Sequence, residues 1–135
     1  MISAQKELPK FSEKFFESED HISCIGSGEP GGKAKGLVFI NEILKSEFNA
    51  KDFPAIKVNI PAMVIIPTDI FDAFMKRNDL FEVACLSLPN ERIAHAFQKA
   101  ELPFEILGDL RKLISKVNSP LAIRSSSMLE DALGI

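Results

Sequence analysis

The chain has no tryptophan, no tyrosine and only two cysteines among its 135 residues. All eleven aromatic residues are phenylalanines, whose wholly apolar rings favour the core over a half-hydrated recognition surface. Cys24 and Cys85 are far apart and neither belongs to a Cys-x-x-Cys pair, so a disulfide framework and a zinc site have little support. We therefore expect two reduced, mostly buried thiols in a cytoplasmic protein.

The chain also lacks an excess of basic residues and a long apolar run. Its formal net charge is -3 and its pI is about 5.4, whereas a nucleic-acid binder holds phosphates with clustered Lys and Arg. No stretch approaches the roughly 18 apolar residues of a membrane helix, and the N-terminus has no apolar segment of the kind found in signal peptides. We expect neither nucleic acid nor membrane as a partner.

Short apolar runs alternate with helical periodicities along the chain. They predict strands at residues 22–25, 60–67 and 120–124, and helices at 33–46, at 68–78 with Thr68 or Asp69 as cap, from 89 and from 103. This order is typical of an α/β fold, with α+β as the alternative, and we expect a small mixed sheet with four or five helices.

The domain organisation follows from the same pattern. Residues 1–20 are predicted to be an N-terminal extension, in which Phe11, Phe15 and Phe16 form a short turn or helix that packs loosely on the body. Residues 21–135 are predicted to be a partial domain, because three strands make a thin sheet and no closing element follows the last of them. A truncated domain of this kind should expose apolar surface through which the chain could form oligomers.

The glycine-rich segment GSGEPGGK at residues 26–33 leads directly into a predicted helix. Glycines let backbone N–H groups approach an anion, and a helix N-terminus carries a partial positive charge to which Lys33 adds a full one. A Walker A loop is excluded, because Ser27 and Ala34 occupy the positions that require Gly and Ser or Thr. A dinucleotide fingerprint fits residues 26–31 but lacks the expected sequel, and a purely structural loop remains the other alternative.

A second polar segment, LAIRSSS at residues 121–127, follows the third predicted strand. Arg124 with Ser125 and Ser126 would suit a polyphosphate, because a guanidinium group binds phosphate oxygens bidentately and stays charged. A structural alternative also exists, since Ser127 and Glu130 have the spacing of a capping box that begins a helix. Both interpretations can hold together.

Taken in order, three motifs resemble one family. They are GGKAKGL at residues 31–37, IPAMVI at residues 60–65, and LAIRSSS at residues 121–127 followed by Glu130 and Asp131. This combination resembles the N-terminal nucleotide-binding domain of phosphoenolpyruvate synthases and pyruvate phosphate dikinases, which rifampicin phosphotransferases and plant glucan dikinases share. The Arg-Ser-Ser element with its acidic pair is the most specific part of the resemblance.

The resemblance implies the first lobe of an ATP-grasp fold from a kinase or dikinase type of transferase. The parent enzyme would move phosphate from ATP through a phosphohistidine to pyruvate or a similar small acceptor, and the chain alone would be inactive. Lys33 and Arg124 match the catalytic residues that contact ATP phosphates. Gly31, Gly32, Ser125 and Ser126 match neighbouring positions of that nucleotide site.

Several parts of the family pattern are missing from the chain. The adenine contacts, the carboxylates that bind Mg²⁺, the phosphohistidine domain and the barrel that binds the acceptor would all lie outside these residues. Neither His21 nor His95 lies in a matching motif, and we expect both to be ordinary surface histidines. The alternative function is a non-catalytic nucleotide-sensing or protein-interaction module with the same fold.

Overall fold

The computed structural model describes residues 8–17 and 22–126 and contains both helices and strands. The strands are β1 (Ile22–Cys24) and β2 (Met63–Ile65). The α-helices are α1 (Gly32–Ser46), α2 (Thr68–Arg77), α3 (Leu80–Cys85), α4 (Asn90–Lys99) and α5 (Phe104–Lys116), and short 3-10 helices occupy Glu13–Phe16 and Ala50–Asp52. The α/β class is therefore confirmed at this level, with five α-helices in the described part of the chain.

The sheet is small and parallel. Ile22 lies opposite Met63 and Cys24 opposite Ile65, so β1, α1 and β2 form a β-α-β unit. On the other side of β1, the Cys24 amide donates to the Pro9 carbonyl and the Phe11 amide donates to the Cys24 carbonyl, both at 2.9 Å. The expectation of a mixed sheet is wrong for the described residues, because a helix connects the two strands and lets them run the same way.

Two apolar clusters flank this sheet. One contains Phe11, Ile25, Ile70 and Ile106, which brings together the N-terminal segment, the end of β1, α2 and α5. The other contains Ile22, Ala34 and Ile65, and it packs α1 against both strands. Because Phe11 is buried within the first cluster, the described part of the N-terminal segment packs more closely than we expected.

Helix α1 buries only a narrow part of its predicted apolar stripe. Ala34 is buried and Val38 is half-buried, as their spacing of four residues on one face allows. Phe39 and Ile40 remain 61% and 48% exposed, and Leu37 and Ile43 are also exposed. The helix was predicted correctly, but part of its apolar stripe, above all Phe39 and Ile40, stays exposed in the described structure.

The third predicted strand does not form. Residues 120–126 have no regular secondary structure, and Ile123 is 95% exposed. A strand needs a neighbouring strand for its backbone hydrogen bonds, and no described strand pairs with this segment. The apolar run Leu121-Ala122-Ile123 predicted that this segment is buried, but all three residues are exposed.

Smaller differences concern α2 and α3. The N-cap of α2 is Pro67, not Thr68 or Asp69, and it makes no side-chain capping bond. Helix α3 was not predicted, because its six residues are too few to show a helical period against the background of the sequence. No helix in the described ranges is long and apolar enough to cross a membrane.

Candidate functional site

The candidate site lies at the carboxyl ends of the two parallel strands. Helix α1 begins eight positions after Cys24, the last residue of β1, and α2 begins three positions after Ile65, the last residue of β2. Because parallel strands end at the same edge of a sheet, the N-termini of both helices lie near that edge. In open α/β sheets this is the edge at which ligands bind.

The first two glycines of the loop are required by packing. Gly26 has a φ of 125°, which side chains rarely tolerate, and a Cβ there would lie 2.8 Å from the Pro67 ring. A Cβ at Gly28 would collide with the carboxylate of Asp69. These contacts fit the loop closely against the start of α2, and they explain Gly26 and Gly28 without any ligand.

Glu29 joins the glycine loop to both helices through its backbone carbonyl and its carboxylate. The Glu29 carbonyl accepts from both the amide (3.1 Å) and the hydroxyl (3.2 Å) of Thr68. Its carboxylate forms an ion pair with Lys35 in α1 at 2.7 Å. The loop is thereby held between the first turns of α1 and α2.

The third glycine of the pattern approaches the second polar segment. Gly31 is buried, and a Cβ at this position would collide with the backbone carbonyl of Ser126 and lie 2.6 Å from its hydroxyl oxygen. The Ser126 hydroxyl accepts a hydrogen bond from the Ala34 amide at 3.2 Å. The glycine loop and the Arg-Ser-Ser segment, 92 positions apart at this contact, are therefore neighbours in the fold.

The N-terminus of α1 differs electrostatically from those of the other described α-helices. Its N-cap, Gly31, has no side chain, and its first turn contains no acidic residue. Each of the other four has an acidic residue in the first turn, namely Asp69, Glu82, Glu91 and Glu105. Acidic residues compensate the positive end of a helix dipole, so α1 is the one described α-helix whose own first turn supplies no such compensation.

The predicted site residues fall into two groups by exposure. Gly31 is buried, and Gly32 and Ser126 are half-buried at the contact between the two segments. Lys33, Arg124 and Ser125 are exposed, Lys33 in the first turn of α1 and the other two just before Ser126. That the charged groups of Lys33 and Arg124 converge on one ligand remains a prediction. The predicted capping residues Ser127 and Glu130, with Asp131, lie outside the described residues.

Other polar groups near this edge were not predicted to belong to the site. Asp69 lies against Gly28, and its negative charge acts on Cys24, whose thiol pKa is raised above its usual value first by burial and second by this carboxylate. The Ser23 hydroxyl in β1 is buried and has no hydrogen-bond partner among the described residues. Cys24 is buried as expected, but Cys85, the last residue of α3, is exposed.

Two open cavities accompany these features. A 510 Å³ groove between α3 and α4 is lined by apolar Val83, Leu88 and Ala96 together with Arg92 and His95, which is exposed as expected. A 270 Å³ hollow reaches the start of the glycine loop at Gly26 and Ser27. Within residues 8–17 and 22–126, no group of three His, Cys, Asp or Glu side chains could hold a metal ion.

Comparison with known proteins does not identify a relative. No protein-family model matches the chain, and no curated protein or solved structure matches it either.

Proposed function

We propose that this chain is the N-terminal ATP-binding segment of a phosphotransferase of the phosphoenolpyruvate synthase and pyruvate phosphate dikinase type. The observation that carries the proposal is the contact of Ser126 with Gly31 and Ala34. Two motifs that a polyphosphate site of this family would need, distant in sequence, meet at the N-terminus of one helix. A loop with a purely structural role would explain Gly26 and Gly28, but it would not require the Arg-Ser-Ser segment to lie there.

The charges around this contact support an anionic ligand. Lys33 lies in the first turn of α1, and that turn contains no acidic residue of its own. Arg124 is two residues from Ser126, and its exposed guanidinium is available to bind phosphate oxygens in pairs. In the proposed parent enzyme, both cations would stabilise the charge that develops on the transferred phosphoryl group.

The described residues account for only part of such a site. They contain no cluster of metal-binding side chains, so the Mg²⁺ that accompanies ATP would need ligands from outside them. The adenine contacts, the phosphohistidine and the acceptor site would likewise come from other parts of the parent. With few groups to exclude water, we expect the chain alone to bind ATP with a Kd in the millimolar range or weaker, about 4 kcal/mol or less.

Calorimetric titration of the chain with ATP tests the proposal. Lys33→Ala and Arg124→Ala should each abolish measurable binding, whereas Lys99→Ala in α4 and Arg111→Ala in α5 make the same charge changes on exposed helix surfaces and should not. Added salt should weaken binding of the unaltered chain, because the remaining contacts are charged and exposed. Binding that is unchanged by both Lys33→Ala and Arg124→Ala would place the nucleotide elsewhere.

The class of reaction is tested on the parent protein. A phosphotransferase of this type should transfer label from ATP to a histidine outside the chain, and Arg124→Ala should greatly slow that labelling. A parent that binds ATP but never labels a histidine would instead be a nucleotide-sensing module.

A further inference from the structure

The Ser126 hydroxyl accepts from a backbone amide that an anion bound at the N-terminus of α1 would also use. The first four N–H groups of an α-helix have no partner inside the helix, and Ala34 carries one of those of α1. Ser126 accepts from this amide at 3.2 Å although it lies 92 positions away in the chain. Helix α1 is therefore capped by a distant segment, since its own N-cap residue is a glycine.

The fit at Gly31 shows how closely the segment covers this position. The Ser126 carbonyl lies where the Cβ of any other residue at position 31 would stand. A phosphate oxygen that approached the Ala34 amide would meet the Ser126 hydroxyl and the adjoining backbone. The first turn of α1 is thus closed at this amide by the same segment that carries Arg124.

We infer that Ser126 is a displaceable cap, and that binding of a phosphate group at the N-terminus of α1 releases residues 121–126 from Gly31 and Ala34. This inference rests on the proposed function, because the displacing ligand is the polyphosphate of ATP. Release would also free Arg124 to move with its segment relative to α1. Nucleotide binding and the position of that arginine are then coupled.

Whether phosphate displaces Ser126 depends on which acceptor the Ala34 amide bonds more strongly, the phosphate oxygen or the Ser126 hydroxyl oxygen. A hydrogen bond from an amide to a charged phosphate oxygen is stronger than one to a neutral hydroxyl oxygen. Little apolar burial opposes release, because Leu121 and Ile123 are both exposed and no described strand pairs with the segment. A bound phosphate should therefore displace Ser126 rather than add to it.

Amide hydrogen exchange at Ala34 tests the cap without any ligand. Ser126→Ala should speed exchange of this amide, because a partner outside the helix is removed. Ser115→Ala removes a hydroxyl that donates to the Lys112 carbonyl within α5, and it should leave Ala34 unchanged. Equal exchange at Ala34 in the unaltered chain and in Ser126→Ala would overturn the inference.

Titration with ATP, and with inorganic tripolyphosphate as a simpler probe, tests the displacement. A competing hydroxyl lowers the affinity of the ligand, so Ser126→Ala should bind both probes about three- to tenfold more tightly than the unaltered chain. The amide resonance of Ala34 should shift with each probe in both proteins. Ser115→Ala should bind like the unaltered chain.

The outcomes separate the inference from the proposed function. Suppose that ATP binding is lost in Lys33→Ala and Arg124→Ala, but that Ser126→Ala binds ATP as tightly as the unaltered chain or more weakly. Ser126 then belongs to the ligand site, and the displaceable cap is overturned. If neither probe binds the unaltered chain or Ser126→Ala even at concentrations well above the millimolar range, the proposed function fails and the coupling fails with it. Faster Ala34 exchange in Ser126→Ala would still identify the capping contact in that case.

Discussion

Asn78 and Glu101 hydrogen-bond to each other in both directions. The Asn78 side-chain nitrogen donates to the Glu101 carbonyl at 2.9 Å, and the Glu101 amide donates to the Asn78 side-chain oxygen at the same distance. Asn78 also donates to the Phe74 carbonyl at 2.8 Å, near the end of α2. The Asn78 side chain therefore bonds to a backbone carbonyl in the last turns of α2, and it holds the segment before α5 against the end of that helix.

Replacement of Asn78 should destabilise this helix junction. Asn78→Ala leaves the Glu101 amide and carbonyl without these partners, and we expect the free energy of unfolding to fall by about 1–3 kcal/mol. Asn59→Ala, an exposed asparagine in a loop, is the control and should change it by less than about 0.5 kcal/mol. Urea denaturation measures both, and an equal effect of the two substitutions would contradict the structural role of Asn78.

Two glycines should respond in opposite ways to the same substitution. Gly26→Ala forces a side chain into a φ of 125° and against Pro67 and Ile70, which should cost about 1–3 kcal/mol of stability. Gly36 lies within α1, and a Cβ at this position would have nothing within 4 Å, so Gly36→Ala should stabilise the chain by about 0.5–1 kcal/mol. Thermal denaturation distinguishes them, and a stable Gly26→Ala variant would show that the loop has another conformation.

The exposed face of α1 should make the chain associate. Phe39 and Ile40 present large apolar side chains to solvent, and exposed apolar surface promotes contact between molecules. Phe39→Glu and Ile40→Lys should each reduce the concentration-dependent mass measured by light scattering, without lowering the melting temperature by more than a few degrees. Glu42→Lys, at an exposed polar position of the same helix, is the control. A chain that stays monomeric at all concentrations would contradict this prediction.

The two cysteines should differ sharply in reactivity. Burial and, second, the Asp69 charge raise the pKa of the Cys24 thiol, whereas Cys85 is exposed. At neutral pH, a thiol-specific reagent should modify Cys85 at least about tenfold faster than Cys24, because the thiolate is the reactive form. Mass spectrometry of peptides from a time course measures both rates. Comparable rates would mean that β1 opens readily.

The same shift predicts a dependence of stability on pH. A thiol whose pKa is higher in the folded state holds its proton more tightly there, so its contribution is complete below the ordinary thiol pKa of the unfolded state. That contribution is lost as the pH rises through the higher folded value. Urea denaturation from pH 7 to pH 10 should show a decline that is smaller in Cys24→Ala; an identical decline in both proteins would contradict the assignment.

Local patterns in the sequence were enough to predict four of the five α-helices and both described strands. The helical stripe at Ile106 and Leu110 predicted α5, and the proline-bounded run around Val64 predicted β2, because burial of one face imposes a period that depends only on near neighbours. Segments whose state depends on distant partners could not be predicted in this way. Residues 120–124 have the composition of a strand, but no described strand pairs with them.

For the candidate site, the sequence by itself determined the residue types: a glycine loop that leads into a helix, a lysine in its first turn, and an arginine followed by serines. Tertiary structure decided what each of these residues contacts. It assigned Gly26 and Gly28 to packing against α2 and brought Ser126 onto Gly31 and Ala34. The physical reason is that a contact across 92 positions depends on how the sheet and helices pack together. The periodicity of neighbouring residues in the sequence contains no information about that packing.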